Sequence, residues 1–381
     1  MEKQWYGDNF KLGVLGGGQL GRMMIQSAIN FDIHIHAMDT DKSFPCGKIA
    51  HSFTEGGIQS FDDVMAFGKD KDVITVEIEH VNVDALEELE KQGVKVFPQP
   101  RVLRIIQDKG LQKEFYKKHS IPTAPFTLVE NKAQLMEVAS KFPFIQKLRK
   151  GGYDGKGVAK IQNATDLEKA FDAPSILEEY VPFEKELSII VARNEKGEIK
   201  TFPLVECEFS PTLNLVEFLF SPANVSPAIE EQAEILARKI IQSLDLIGLL
   251  AVELFLTKDG SLLVNEVAPR THNSGHHTIE CNITSQFEQH LRAITNQPLG
   301  STKTRVPGVM VNLIGAEDFT GEVVYKNIEK ATAQQGVHVH LYGKSHTKPG
   351  RKMGHITVTN MDIKEAKRIA REIKEMVVVG C

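Results

Sequence analysis

Residues 249–277 restrict the possible folds more than any other stretch of the chain. An apolar run, 249–256, is broken by a single acid, Glu253, and leads through Thr257-Lys258-Asp259-Gly260 into a second apolar stretch containing Glu266. An Asp-Gly pair between two such runs is a strong hairpin signal. If Asp259-Gly260 is a two-residue turn, Lys258 pairs with Ser261 and Glu253 falls directly opposite Glu266, on the same face. Opposed side chains have Cβ atoms about 4.5–5.5 Å apart, where like charges repel. Amid Leu249, Leu250, Val252 and Leu254, the two carboxylates need a cation between them or a shared proton. Mg²⁺ suits them, being a hard ion held by one or two carboxylates plus substrate phosphates. The alternative is two solvated acids on an open sheet face, and a one-residue change in turn length would place them on opposite faces. The hairpin's tail, N-E-V-A-P-R-T-H-N-S-G-H-H at 265–277, adds Arg270, His272, Asn273 and His276, donors suited to a small anion.

The chain has 381 residues, enough for two or three domains. A formal charge of −5 counts against a general nucleic-acid binder. The four cysteines are scattered without a C-x-x-C pair, which favours a reducing compartment and no structural zinc. No apolar signal core opens the chain, and no apolar run approaches the ~20 residues that span a bilayer. A cytoplasmic protein without membrane or nucleic-acid partners is expected.

At the N-terminal end, 11–15 reads as a buried strand running into Gly16-Gly17-Gly18-Gln19-Leu20-Gly21, followed by a helix over 19–30 and a strand over 33–38 ending at Asp39. The loop has the form G-x-G-x-x-G, which lets an anion approach a helix N-terminus. Taken alone it predicts a nicotinamide enzyme with Asp39 on the ribose, but the same unit occurs in folds that bind no dinucleotide. Glu77 and Glu79 stand at the carboxyl end of another strand, the edge where open α/β sheets bind ligands. A helix capped by Asn82 over 83–92 and a single helix over 101–118 follow, then a strand over 144–148 and Gly151-Gly152-Tyr153-Asp154-Gly155-Lys156-Gly157. Four glycines in seven residues make a loop whose N–H groups can wrap phosphate oxygens, with Lys147 within reach as a point charge. A flexible surface hairpin is the competing reading. The strand 175–181 carries Glu178 and Glu179; Tyr180, Val181 and Glu186 border a segment whose backbone could read an adenine edge. A long helix is expected over 227–244, short strands over 309–314, 337–342 and 356–359, and a charged helix over 362–376. The basic loop 344–355 could clamp a sugar phosphate through Lys344 and Arg351, or be a solvated turn. A zinc site at His272, His276 and His277 is disfavoured, because the adjacent acids suit an oxygen-preferring ion better.

The order of these parts resembles the ATP-grasp superfamily. More specifically, G-G-G-Q-L-G-R-M at 16–23, E-I-E-H-V at 77–81, G-G-Y-D-G-K-G at 151–157 and N-E-V-A-P-R-T-H-N-S-G-H at 265–276 are similar to the N5-carboxyaminoimidazole ribonucleotide synthase family of purine biosynthesis, over about residues 11–360. The resemblance implies an α/β (α+β overall) fold: a Rossmann-like N-terminal domain at 1–100, an ATP-grasp domain at 101–298 with a small lid at about 122–182, and a small β-rich C-terminal domain at 299–381. It implies a carbon–nitrogen ligase that uses ATP and bicarbonate to carboxylate 5-aminoimidazole ribonucleotide, with Mg²⁺, as a homodimer. By matching motifs, ATP would be held by Arg104, Lys147, Gly152, Tyr153, Asp154, Gly155, Lys156, Gly157, Glu178, Glu179, Tyr180, Val181, Glu186, Asn265 and Glu266. Glu253 and Glu266 would hold Mg²⁺. Arg270, His272 and Asn273 would bind bicarbonate and the carboxyphosphate formed from it. Gln19, Glu79, Tyr153, Asp154, Lys344 and Arg351 would hold the ribonucleotide, with Asp154 as a hypothetical acceptor of the amine proton. A nicotinamide dehydrogenase leaves 147–277 without a purpose. Intact Lys147, Glu253, Glu266 and Arg270 speak against a decayed, non-catalytic nucleotide module. A sister ATP-grasp enzyme acting on formate or another carboxylate is separated only by resemblance.

Overall fold

The computed structural model describes residues 4–138, 142–152, 157–210 and 215–380. Tyr153, Asp154, Gly155 and Lys156 lie outside the described residues. The first unit is a five-stranded parallel sheet in the order Ser52–Glu55, His34–Asp39, Lys11–Leu15, Val73–Val76, Lys95–Val96. Parallel strands are covered on both faces, which is why Val73–Val76 is buried at every position and is apolar except at Thr75. The carboxyl ends of its central strands deliver Gly16–Gly18 and Glu77–Glu79 to one edge.

The single helix expected over 101–118 is two helices, Pro100–Ile106 and Lys109–Lys118. Asp108 makes the break: its carboxylate accepts from the N–H groups of Gly110 and Leu111 and so starts a new helix. The second helix turns Lys109 toward Glu266 of the central hairpin and Lys113, four residues on, toward Glu178.

A four-stranded antiparallel sheet, ordered Phe126–Val129, Ser175–Glu179, Phe144–Leu148, Val158–Ile161, carries the ends of the glycine-rich segment. Beyond it a nine-stranded sheet runs from the hairpin strands Leu262–Ala268 and Gly248–Thr257 through Phe183–Arg193, Val205–Phe209 and Val216–Ser221 into Gly308–Ile314, Lys352–Thr359 and Val337–Leu341, with Ile199–Thr201 attached to Phe183–Arg193. The C-terminal strands therefore extend the sheet that bears the hairpin. Helix Pro227–Leu244 covers one part of it with Ala233, Leu236, Ala237, Ile240 and Ile241. Helix Ile363–Met376, capped by Asp362, covers the other with Ala366, Ile369, Ala370 and Ile373. Among the described residues no helix is long and apolar enough to cross a membrane.

Candidate active site

The hairpin does oppose Glu253 and Glu266, by a route the two-residue turn did not anticipate. The turn has three residues: Thr257 N–H donates to the Ser261 carbonyl at 3.0 Å, and Gly260 takes φ +81°. Near the turn, Leu256 pairs with Leu262 and Leu254 with Val264, a register that would carry Glu253 opposite Asn265. A β-bulge absorbs Asn265, after which Glu253 faces Glu266 and Val252 faces Val267. The bulge also cancels the alternation of neighbouring side chains. Asn265 and Glu266 therefore both serve the site: Asn265 Oδ1 accepts from Lys147 Nζ at 2.8 Å, and Glu266 pairs with Lys109 Nζ at 2.7 Å.

Burial and the facing Glu266 push the Glu253 carboxyl up, whereas Lys109 holds Glu266 down. Glu186, opposite Cys207 and Phe255 on the central strand, is raised by burial to about 7. Glu186, Glu253 and Asn265 line one narrow cleft with Leu187, Cys207, Phe209, Leu254 and Phe255. At its flank Glu178, 4% exposed, pairs with Lys113 at 2.6 Å and Lys147 at 2.8 Å. Burial alone would raise its pKa, but the two lysines outweigh that and keep it ionised. Beyond Glu178 the chain leaves the small sheet: Glu179 N–H donates to the Pro125 carbonyl, Tyr180 lies under Lys160, and the Val181 carbonyl accepts from Phe183. Gly157 closes the described end of the glycine-rich loop by accepting from Leu148 N–H, and Gly152 stands at its start.

The G-x-G-x-x-G loop belongs to this neighbourhood, but a dinucleotide pyrophosphate does not. Glu77, 8% exposed, fills the place: its Oε1 accepts from Leu20 N–H at 3.0 Å, and a Cβ on Gly16 would stand 2.8 Å from the Glu77 Cβ. The glycines make room for a carboxyl group of the protein itself, which occupies the space a pyrophosphate would need. Asp39, the expected ribose acid, accepts from Gly17 N–H at 2.7 Å and braces the same loop. Gln19 opens the helix Gln19–Ile29 beside it.

Arg270 leaves the hairpin to form an ion pair with Glu79. Burial would raise the Glu79 carboxyl; Arg270 prevails and brings it down to about 2. His272 is pushed down to about 4, first by burial and then by Arg270, so it is neutral at pH 7. Its Nδ1 accepts from Ser274 N–H at 3.4 Å, which leaves the ring proton on Nε2, 3.6 Å from Glu253. Gln286 grips the His272 backbone at both ends, accepting from its N–H at 2.9 Å and donating to its carbonyl at 2.7 Å. Asn273 is paired with Asn312. His276 stacks on His355 at 4.7 Å and His355 on His340 at 4.4 Å; burial lowers the pKa of His276 and His355, and His340 Nε2 lies 2.7 Å from Glu280. Lys344 Nζ donates to the Lys352 carbonyl at 2.7 Å and lies 5.6 Å over the Tyr342 ring, and Arg351 donates to the His346 carbonyl.

Arg104, expected on ATP, is turned elsewhere: its guanidinium pairs with Asp84 and Glu87 on the neighbouring helix. The cations that this region does send to the site are Lys109 and Lys113, and their spacing after the Asp108 cap was the sequence signal for them. Gln286 and Asn312 carried no signal, since an amide gains meaning only from what it faces.

A model of the ATP-grasp domain matches residues 114–287, one of the ribonucleotide synthetase preATP-grasp domain matches 10–107, and one of the phosphoribosylaminoimidazole carboxylase C-terminal domain matches 308–369. The N5-carboxyaminoimidazole ribonucleotide synthase of Bacillus subtilis is 38% identical over 367 residues, covering 94% of this chain and 93% of that protein. The chain spans 68% of the phosphoribosylaminoimidazole carboxylase of Ogataea methanolica and 64% of that of Vigna aconitifolia, at 38% and 40% identity over 95% and 92% of its own length. Among solved structures, the N5-carboxyaminoimidazole ribonucleotide synthetase of Thermotoga maritima superposes with a TM-score of 0.90 at 42% identity, covering 97% of this chain and 99% of that one. The Aspergillus clavatus synthase in complex with ADP and 5-aminoimidazole ribonucleotide gives 0.89 at 35%, covering 98% and 100%. Built on these motifs and this fold over nearly its whole length, the chain belongs to the N5-carboxyaminoimidazole ribonucleotide synthase family.

Proposed function

We propose that this protein uses ATP to carboxylate the exocyclic amine of 5-aminoimidazole ribonucleotide with bicarbonate, releasing ADP and phosphate. The observation that carries this is the convergence, around one bulged hairpin, of Lys147, the two opposed acids Glu253 and Glu266, and the tail residues Arg270 and His272. Family membership supplies the acceptor.

Bicarbonate is a poor electrophile. Attack of its oxygen on the γ-phosphorus, with cleavage of the β–γ bridging P–O bond, converts it to carboxyphosphate and frees ADP. Little covalent work falls to the protein in such a transfer, so positioning and charge neutralisation dominate. Lys147 with the N–H groups of 151–157 would hold the phosphates, and Glu178, Glu179, Tyr180, Val181 and Glu186 the adenosine. Arg270 and the Nε2–H of neutral His272 would hold the bicarbonate and then the carboxyphosphate. The amine nitrogen then bonds to the carboxyl carbon, the C–O bond to phosphate breaks, and one amine proton leaves, with Asp154 our candidate acceptor. Gln19, Glu79, Tyr153, Lys344 and Arg351 are assigned to the ribonucleotide.

Two half-buried acids facing each other, one held ionised by a lysine and the other pushed toward its neutral form, fit a divalent oxygen-preferring ion. Glu253 and Glu266 would hold Mg²⁺, with nucleotide phosphates completing its shell. When bound, the ion offsets charge on the transferring phosphoryl group. We further propose a homodimer, with domain edges near residues 100 and 298.

Phosphate release from MgATP in bicarbonate buffer, with and without the ribonucleotide, tests the proposal. Strong stimulation is expected. Hydrolysis indifferent to the ribonucleotide would leave the nucleotide site and remove the acceptor; no hydrolysis under any condition would favour a non-catalytic module.

A further inference from the structure

One buried polar group near the anion-binding tail has no part in the chemistry above. Asn312, 1% exposed, sits in the strand Gly308–Ile314, within the segment matched by the carboxylase C-terminal domain. Its carboxamide forms a closed pair with that of Asn273: Asn273 Nδ2 donates to Asn312 Oδ1 at 2.9 Å, and Asn312 Nδ2 donates to Asn273 Oδ1 at 3.0 Å. Asn312 Nδ2 also donates to the main-chain carbonyl of Val216, on the adjacent strand, at 2.8 Å.

The polarity of this chain of bonds is set from the backbone. A carbonyl can only accept, so Val216 dictates that Asn312 presents its nitrogen there, and the reciprocal pair passes the orientation on to Asn273. Both N–H groups of Asn312 are then used. Asn273 has committed one N–H and one lone pair to the pair, so its remaining N–H is held in a fixed direction, one residue beyond His272. Without a partner, an asparagine amide can rotate by half a turn and present oxygen where nitrogen stood, which repels an anion. Gln286 fixes the His272 backbone independently, so the two residues of the tail are oriented by two different amides.

We infer that Asn312 is a positioning residue for bicarbonate: it locks the Asn273 carboxamide with an N–H donor, not its oxygen, available to the anion. This rests on the reading of Asn273 as a bicarbonate ligand. It also gives the continuous sheet a chemical purpose, since a strand from the C-terminal unit sets the polarity of a group in the ATP-grasp tail.

The test is steady-state phosphate release with bicarbonate varied from a carbon dioxide-depleted buffer, for Asn312→Ala, Asn273→Ala and the double variant. A net hydrogen bond is worth up to about tenfold. We expect Asn312→Ala to raise the bicarbonate KM by about that factor and leave the MgATP KM within twofold. The double variant should be no worse than Asn273→Ala alone, because one residue acts through the other. The near-isosteric, uncharged Asn312→Leu, which loses both donors without burying a charge, should raise the bicarbonate KM as well, and it replaces Asn312→Ala should that variant not fold. A bicarbonate KM unchanged in Asn312→Leu while Asn273→Ala raises it would overturn the inference and leave the Asn273 assignment standing; additive effects in the double variant would do the same. If Asn273→Ala itself leaves the bicarbonate KM unchanged, the assignment of Asn273 falls and the inference falls with it.

Discussion

Glu178 concentrates the site's electrostatics in one side chain. It is buried, yet it stays ionised because Lys113 and Lys147 flank it at 2.6 and 2.8 Å. Lys113 is itself 2% exposed, and burial depresses its pKa, so its charge depends on that acid. Removing one partner of a buried pair leaves an uncompensated charge, which costs about 3–5 kcal/mol. Glu178→Ala should lose stability of that order in denaturant unfolding, and Glu178→Gln clearly less, since the amide can still accept from one lysine. Lys147 has a different position: its other partner is Asn265, at the bulge. Lys147→Met is therefore expected to raise the MgATP KM by about tenfold or more with only a modest change in unfolding midpoint, an outcome that separates phosphate binding from structural pairing. Equal losses of stability in Lys147→Met and Glu178→Ala would argue that Lys147 serves the fold.

Among the elements, the hairpin and the glycine loop show how local sequence signals acquire meaning from packing. The Asp-Gly turn signal located the hairpin, and the opposition of Glu253 and Glu266 was legible in it, although the turn has three residues and a bulge at Asn265 restores the register. Bulges have no sharp sequence signature, so the coupling of Asn265 and Glu266 to one face was not readable. The glycine loop was legible as a close approach to a helix N-terminus; what approaches could not be read, because Glu77 lies 57 residues from Leu20, whose N–H it accepts from. The same long-range logic hid the end of the helix at Asp108, whose capping role also rests on a bidentate pair with Arg149, 41 residues away. A methyl group on Gly18 would collide with the Glu77 carboxylate. Gly18→Ala should thus cost about 1–3 kcal/mol in thermal or denaturant unfolding. Nicotinamide dinucleotide should give no saturable shift in melting temperature with the unaltered protein, and a saturable one would mean that Glu77 can leave its seat.

Over the whole molecule, burial has made several histidines poor bases. His277 and His290 are each pushed down to about 4 by burial, and burial also holds His276 and His355 well below the usual histidine value. His290 joins the parallel sheet to the helix Gln286–Ile294 through a 2.8 Å bond with Thr75, and the His276–His355–His340 column joins the ATP-grasp tail to the C-terminal strands. These rings therefore sit at the seams between units, where unfolding must expose them. In the unfolded chain the four lowered rings, His276, His277, His290 and His355, regain a pKa near 6.5. As pH falls from about 6.5 to 4 the unfolded state takes up protons that the folded state refuses, so stability declines through that window. For a ring held near 4, the full effect is up to about 3 kcal/mol. Depressed carboxylates act in a different range: Asp70 and Glu79, each near 2, stabilise fully above about 4.5 and lose that contribution only below it. Denaturant unfolding at pH 8, 6.5, 5.5 and 5 should accordingly show a maximum near neutral pH: the raised acids Glu186 and Glu253 withdraw stability as pH rises to and past about 7, and the more numerous lowered histidines outweigh them below 6.5 and withdraw it there as pH falls. His290→Asn should flatten the fall below 6.5 by up to one proton. A stability constant down to pH 5 would mean that these rings are hydrated or protonated in the folded protein, and the buried histidine seams would have to be given up.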